Sequence, residues 1–203
     1  MMPTGHWLVG RRALIAGEGT AVDAVAAALS DAGATIVRSS IAAGDDDGIA
    51  AEMAALFEAG GVDILVHRGA PAIARAATET GLGAWRDEVS DDIDLRFLQS
   101  TEFVRRCLVA GQGGTILFLM PAVLTEADNS AAATVTAAIG NLVKSLAVEW
   151  ARDGVRVNAI ATRLHRAGEM DTAALASLGH LAAYILSDYG AYISGAVMGV
   201  DET

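Results

Sequence analysis

The sequence predicts an α/β fold in which a doubly wound parallel sheet lies between two layers of helices, a three-layer αβα arrangement. Short apolar runs of strand-like composition alternate with longer segments whose apolar residues recur at helical spacing. This alternation favours a parallel sheet, because each crossover helix covers one face of it. The chain has 203 residues, 53% of them hydrophobic, and no repeat or linker divides it. A single domain over residues 1–203 is therefore expected.

The predicted elements follow one another in regular order. The first strand, RRALIAG, ends in Gly17, and the helical pattern AVDAVAAALSDAG ends at Gly33, where a helix stop belongs. Further strands are predicted at ATIVRSS, VDILVHRG, GTILFLM and VRVNAIA, and the chain closes with a helix and a strand in LAAYILSDYGAYISGAVMGVDET. Helical patterns separate these strands in IAAEMAALFEAG, in FLQSTEFVRRCLVAG and from Ser130 to Ala151.

Charge and cysteine content restrict the partners and the compartment. The net charge is -11 and Lys144 is the only lysine, so a nucleic-acid partner, which needs basic patches, is not expected. Cys107 is the only cysteine and no signal-peptide pattern opens the sequence, which predicts a cytoplasmic protein. The longest uncharged run, Cys107 to Thr125, is interrupted by GQGG and Pro121. It predicts a buried strand rather than a membrane helix.

Four stretches resemble, in order, the short-chain dehydrogenase/reductase family. ALIAGEGTAVDAVAAALSDAGATIV resembles the opening strand, glycine turn and helix of that family, and VDILVHRGA resembles its Asp-x-Leu-Val-Asn-Asn-Ala-Gly segment. LVKSLAVEWARDGVRVNAIAT is similar to the helix and strand after the catalytic residues, and LAAYILSDYGAYISGAVMGVDET to the closing helix and strand. The resemblance implies a Rossmann-like fold that is shortened relative to the family. A helix and a strand are missing after ATIVRSS, and RLHRAGEMDTAALAS is brief for a substrate lid.

The resemblance places the family's cofactor-binding turn at AGEGTAVD. In the family pattern Thr-Gly-x-x-x-Gly-x-Gly, glycines let the backbone approach a dinucleotide pyrophosphate at a helix N-terminus. Here Gly17 is kept and Gly19 adds flexibility, whereas the second and third glycines are Ala21 and Asp23, and Glu18 adds a further carboxylate. A carboxylate about 5 Å from a phosphate costs on the order of 3 kcal/mol at an effective dielectric of about 20. The turn therefore predicts that this chain binds no cofactor and that NAD(P) belongs to an active partner.

Three charged residues allow more than one interpretation. Asp23 either stabilises the helix N-terminus in place of a bound phosphate or is an ordinary exposed acid in the first helical turn. Arg38, near the end of the second strand, is interpreted as a solvated residue rather than as a selector for a 2'-phosphate. Arg68 is interpreted as structural filling, with binding of a small anion as the alternative.

The family's catalytic positions carry no acid–base groups in this chain. The Tyr and Lys positions are Ala132 and Thr136, and no Tyr-x-x-x-Lys occurs elsewhere. Carbonyl reduction in the family needs the phenol as acid and the ammonium to lower its pKa, so that mechanism is not expected here. The other catalytic positions are changed as well: the family Ser falls among Leu119, Met120 and Pro121, and the family Asn falls at Asp94.

No metal site is predicted. The four histidines show no ligand-like spacing with Cys107 or with the carboxylates. The acidic residues 45–47 are interpreted as a solvated turn before a helix N-terminus.

The segment 130–151 predicts an interaction surface. It is apolar or small on nearly every face, which is typical of a helix buried on more than its sheet-facing side. The resemblance implies subunit contacts through this helix, the helix at 91–110 and the C-terminal strand. An oligomeric interface is favoured over a deep monomer core.

The leading hypothesis from the sequence is a catalytically silent family member that supports an active paralogue in a hetero-oligomeric dehydrogenase. The resemblance is to silent subunits of dehydrogenases that act on hydroxyacyl-CoA thioesters in anaerobic toluene breakdown. Two alternatives stay open, since a fold does not fix a function. One is a ligand-binding or regulatory protein that uses the vacated crevice, and the other is an NAD(P)-dependent oxidoreductase with displaced catalytic residues.

Overall fold

Six parallel strands form one sheet at the centre of the molecule. A computed structural model of the chain describes residues 6–39, 41, 45–68, 77–121, 130–162 and 172–200. The strand order is β2-β1-β3-β4-β5-β6, and every neighbouring pair is parallel. The strands are β1 (Arg12–Ala16), β2 (Thr35–Arg38), β3 (Ile64–Arg68), β4 (Gly114–Pro121), β5 (Val155–Thr162) and β6 (Val197–Val200). The predicted parallel sheet is confirmed, and the run from Cys107 to Thr125 contains the buried strand β4.

Within the described residues, five α-helices connect the strands, and one of them is longer than predicted. The helices are α1 (Thr20–Asp31), α2 (Asp46–Glu58), α3 (Leu82–Ala110), α4 (Ser130–Glu149) and α5 (Thr172–Leu186). Helix α3 begins at Leu82, well before the predicted start at Asp91. Most residues in its first two turns are exposed, so the apolar period that marks a buried helix face is absent there.

The two faces of the sheet carry separate cores, which confirms the three-layer arrangement. Side chains alternate along each strand, so that Ile15 packs with α1 and α5 while Leu14 packs with α2, α3 and α4. Helix α4 is long and apolar enough to cross a membrane by length and composition alone. Its residues Ile139 and Val143 are fully buried against the strands of the second core, as in a core helix.

Helices α3 and α4 lie side by side on that second face. Several large apolar side chains on them are exposed, namely Phe97, Leu108, Val109 and Val148. The predicted subunit contact through residues 91–110, 130–151 and the C-terminal strand stays a prediction, since one chain is described.

Close packing of α1 on α5 depends on Gly179. A Cβ atom at this position would lie 2.8 Å from the Cβ of Ala28 and 3.0 Å from the carbonyl oxygen of Ala24. The two helices cover the strands that lead to the carboxyl edge of the sheet, where ligands of such folds bind. Their separation is therefore set by the smallest possible residue.

We expect Gly179→Ala to lower the free energy of unfolding by about 1–3 kcal/mol, because it overpacks this contact. Gly83→Ala is the matched control, since Gly83 also lies in a helix but a Cβ atom there would meet no neighbouring atom within 4 Å. Urea denaturation of both variants measures the difference. Equal stability of the two variants would show that the α1–α5 contact is loose.

Candidate functional site

The winding of the chain along the sheet reverses between β1 and β3. From β1 the chain crosses to β2 on one side, and from β2 it returns to β3 on the other side. In open α/β sheets, ligands bind outside the carboxyl ends of the strands at such a switch point. The register pairs Ala16 with His67, which brings the residues that follow them, Gly17 and Arg68, to the same place.

A glycine turn joins β1 to α1 at this point. Gly17 and Gly19 have φ angles of 98° and 111°, in the region that favours glycine. A Cβ atom on Gly17 would lie 2.5 Å from the carbonyl oxygen of Arg68, and one on Gly19 would lie 2.9 Å from its Nη1. Gly19 is the N-cap of α1 and provides no side-chain hydrogen bond. The turn is thus a backbone cradle, and no N-cap side chain occupies the first amides of α1.

Alanine at the second glycine position does not obstruct this cradle. Ala21 is buried and belongs to the core between the sheet, α1 and α5. Its methyl group therefore packs inward, away from the surface of the turn.

Two cationic side chains lie beside the turn, and the sequence pattern did not reveal them. Arg38, at the end of β2, forms a salt bridge of 2.7 Å with Asp23 on α1. The Nη1 of Arg68 donates a hydrogen bond to the carbonyl oxygen of Glu18. Arg38 therefore pairs with the carboxylate of Asp23, whereas Arg68 contacts the backbone of Glu18, and the predicted repulsion of phosphate counted only the acids.

Beneath the turn, a buried ion pair ties the ends of β3 and β4 together. Arg96 on α3 is 1% exposed, and its Nε donates to Asp92 Oδ1 at 3.0 Å. Its Nη1 donates to the carbonyl oxygen of His67 at 3.2 Å, and its Nη2 to that of Leu119 at 2.9 Å. The guanidinium carbon also lies 5.5 Å from the ring centroid of Phe118. Two adjacent strands are thereby held at their carboxyl ends.

The resemblance places the family Asn at Asp94, which is exposed on α3. The polar side chain that reaches the strand ends is Arg96, two residues later. Buried positions recur along α3 at helical spacing, at residues 92, 96, 99, 100, 103 and 107. In the sequence, Phe103 and Cys107 mark this face of α3, and steps of three or four residues back from them lead through residues 100 and 96 to 92.

The other predicted positions lie along the same edge. Leu119 and Met120 are buried in the two opposite cores, Ala132 is buried near the start of α4, and Thr136 is half-buried one turn later. Pro121 ends β4. Three segments that follow β3, β4 and β5 lie outside the described residues, namely 69–76, 122–129 and 163–171. The last of them includes His165 and most of the predicted lid.

Within the described ranges, no group of three or more metal-ligating side chains occurs. The absence of a metal site stays a prediction.

His67 is the buried titratable group nearest to the switch point. It is 1% exposed and lies edge-on to Phe118, with ring centroids 6.4 Å apart. Neither ring nitrogen has a hydrogen-bond partner in the part of the chain that the structure describes. Burial, with a smaller contribution from the charge of Arg96, holds the pKa of His67 well below its ordinary value. His67 is therefore neutral in the folded protein.

The family model described as "Enoyl-(Acyl carrier protein) reductase" matches residues 13–178, a range that runs from β1 into α5 and includes the switch point. The chain belongs to the short-chain dehydrogenase/reductase family. The resemblance seen in the sequence is thus confirmed at the level of the family.

Three proteins illustrate the similarity. The chain is 31% identical to cis-4-hydroxycyclohexanecarboxylate dehydrogenase of Sinomonas cyclohexanicum, over 88% of this chain and 80% of that protein. It is 27% identical to galactitol 2-dehydrogenase (L-tagatose-forming) of Cereibacter sphaeroides, over 94% of this chain and 84% of that protein. The fold also superposes on a solved structure from Beutenbergia cavernae with a TM-score of 0.82 at 23% identity, covering 98% of this chain and 97% of that chain. That protein is described as an NAD(P) dependent gluconate 5-dehydrogenase with bound NADP at low occupancy.

These comparisons contradict two predictions made from the sequence. The catalytically silent subunit is contradicted because the matched relatives are named as dehydrogenases. The expectation that this chain binds no cofactor is contradicted as well, because the family model and the dehydrogenase of Sinomonas cyclohexanicum match over most of the chain. The physical reason for the second error is the pairing of Asp23 with Arg38, which offsets the repulsion assigned to that carboxylate.

His67 predicts a specific loss of stability in acid. Its pKa is lowered on folding, so below the unfolded value of 6.5 the unfolded chain binds a proton that the folded chain does not. The contribution of neutral His67 to the free energy of unfolding is fully present above pH 6.5. It is lost as the pH falls, at about 1.4 kcal/mol per pH unit.

We expect His67→Asn to lose less stability than the wild type between pH 7 and pH 5.5, measured by urea denaturation at each pH. His180→Asn is the control, because His180 is exposed. If the wild type and His67→Asn respond equally to acid, His67 is not buried in the neutral form.

Proposed function

We propose that this chain is an NAD(P)-dependent oxidoreductase that acts on a small hydroxyl or carbonyl compound. The observation that carries the proposal is the glycine turn at the switch point, which presents backbone to a ligand and is flanked by Arg38 and Arg68. Family membership and the names of the matched relatives support this reaction class.

The residues of the turn fit a dinucleotide. Gly17 and Gly19 carry no side chains of their own, so the guanidinium of Arg68 can lie against the turn, and the first amides of α1 have no N-cap side-chain partner. Amides at a helix N-terminus and the helix dipole favour a phosphate at this position. The bound cofactor would supply or accept the hydride, while the turn and α1 hold its phosphates at the strand ends.

Arg38 favours a cofactor with a 2'-phosphate. In folds of this kind, an acid near the end of the second strand binds the ribose hydroxyls, whereas an arginine there accommodates the phosphate of NADP. The pairing of Arg38 with Asp23 is no obstacle, because both side chains are about half exposed and such pairs contribute only ~0–1 kcal/mol. A phosphate dianion can therefore replace Asp23 as the partner of Arg38.

The proton-transferring group is displaced from the family positions in this proposal. Ala132 has no titratable group and Thr136 cannot supply the ammonium that lowers the pKa of a phenol. The site thus keeps the cofactor half of the family's chemistry at its usual place and differs in the acid–base half.

Titration calorimetry with NADPH and NADH tests the cofactor assignment. We expect NADPH to bind more tightly than NADH. The Arg38→Gln substitution should lower the affinity for NADPH by about tenfold or more, since a charge-assisted hydrogen bond contributes about 1.5–3 kcal/mol. The affinity for NADH should change by no more than about twofold. Arg152→Gln is the control, because Arg152 is exposed just before β5, at the opposite edge of the sheet.

Hydride transfer tests the reaction class. We expect the protein to oxidise at least one member of a panel of cyclic and open-chain secondary alcohols with NADP+. The absorbance of the reduced nicotinamide measures this reaction. Tight binding of NADPH without transfer to or from any hydroxyl or carbonyl compound would contradict an oxidoreductase and favour a nucleotide-binding protein. Absence of binding by either nucleotide would contradict the proposal entirely.

A further inference from the structure

Arg68 lies against both glycines of the turn. Its carbonyl oxygen faces Gly17, where a Cβ atom would come within 2.5 Å, and its guanidinium faces Gly19, where a Cβ atom would lie 2.9 Å from Nη1 and 3.3 Å from Cζ. Its Nη1 donates to the carbonyl oxygen of Glu18 between them. The side chain therefore follows the surface of the turn from one glycine to the other.

This position combines two features that bind phosphate. The guanidinium lies beside the turn that leads into α1, whose first amides lack an N-cap side-chain partner. A planar guanidinium can bind two phosphate oxygens at once, and oriented amides at a helix N-terminus bind others. Both sets of donors meet at the point where β1 and β3 end.

We propose that Arg68 is a diphosphate-binding residue, which pairs with the phosphates of the cofactor above the Gly17–Gly19 turn. The inference rests on the proposed function and adds to it a residue that supplies charge where the turn has lost a glycine and gained Asp23. Arg38 already forms the salt bridge to Asp23, so the two arginines have separate anionic partners in this arrangement.

Hydrogen bonds hold the backbone next to Arg68 in place. The carbonyl oxygen of His67, the preceding residue, accepts a hydrogen bond from the buried Nη1 of Arg96 at 3.2 Å. Arg96 is itself fixed by Asp92 and by the carbonyl oxygen of Leu119. A binding side chain that extends from such a supported strand end is placed more precisely than one on a loop.

The opposite role for the same contact is a latch. A guanidinium that binds the Glu18 carbonyl could close the turn against phosphate, so that its removal would tighten binding. The two roles predict changes of opposite sign when the side chain is neutralised.

Calorimetric titrations of the wild type, Arg68→Gln and Arg68→Lys with NADPH and with inorganic pyrophosphate decide between them. We expect Arg68→Gln to lower the affinity for both ligands by about 10- to 100-fold, because a charge-assisted hydrogen bond is lost. Arg68→Lys should recover part of the affinity, because it keeps the charge without the bidentate geometry. Arg152→Gln should leave both affinities unchanged, and circular dichroism confirms that each variant is folded.

The outcomes separate this inference from the proposed function. If the wild type binds NADPH and transfers hydride, but Arg68→Gln binds NADPH equally well or more tightly, the role of Arg68 is overturned. The assignment as an oxidoreductase then stands. Arg68-dependent binding of pyrophosphate and NADPH without hydride transfer would support the role of Arg68 and overturn the oxidoreductase. Failure of the wild type to bind either ligand would overturn both.

Discussion

The arrangement of the candidate site depends on the buried guanidinium of Arg96. Its hydrogen bonds to the carbonyl oxygens of His67 and Leu119 join the carboxyl ends of β3 and β4, and Asp92 neutralises its charge inside the protein. Removal of one member of such a pair is strongly destabilising, because the other charge stays buried without a partner. The pair thereby fixes where β3 ends, and with it the position of Arg68 over the glycine turn.

The turn shows how charge balance can be kept after a motif changes. Alanine in place of the family glycine at residue 21 does not obstruct the turn, because its methyl group lies in the core. The acid Asp23 pairs with Arg38, and Arg68 donates to the backbone carbonyl oxygen of Glu18. Both arginines are distant in sequence from the turn but lie beside it at the switch point. The local charge therefore differs from what the acids alone suggest, and it is compatible with a phosphate-bearing cofactor.

Sequence patterns predicted the fold well and the electrostatics of the site poorly. The strands, their order along the chain and the helical layers follow from apolar periodicity, which depends on near neighbours. The salt bridge from Asp23 to Arg38 joins residues 15 positions apart, and the contact of Arg68 with Glu18 spans 50 positions. Such pairs form only when the crossovers bring β1, β2 and β3 together, so composition and spacing of the turn alone could not show them. The same limit hid the contacts of Arg96, since the strand ends that it contacts lie 23 and 29 positions away in the sequence.

A crystal structure of the protein with NADPH tests most directly whether the β1–β3 switch point is the cofactor site. We expect the diphosphate to lie above Gly17 and Gly19, within hydrogen-bonding distance of the first amides of α1 and of the Arg68 guanidinium, with the 2'-phosphate beside Arg38. A nucleotide bound elsewhere, with Arg68 still donating to the Glu18 carbonyl oxygen and the turn unchanged, would contradict this assignment.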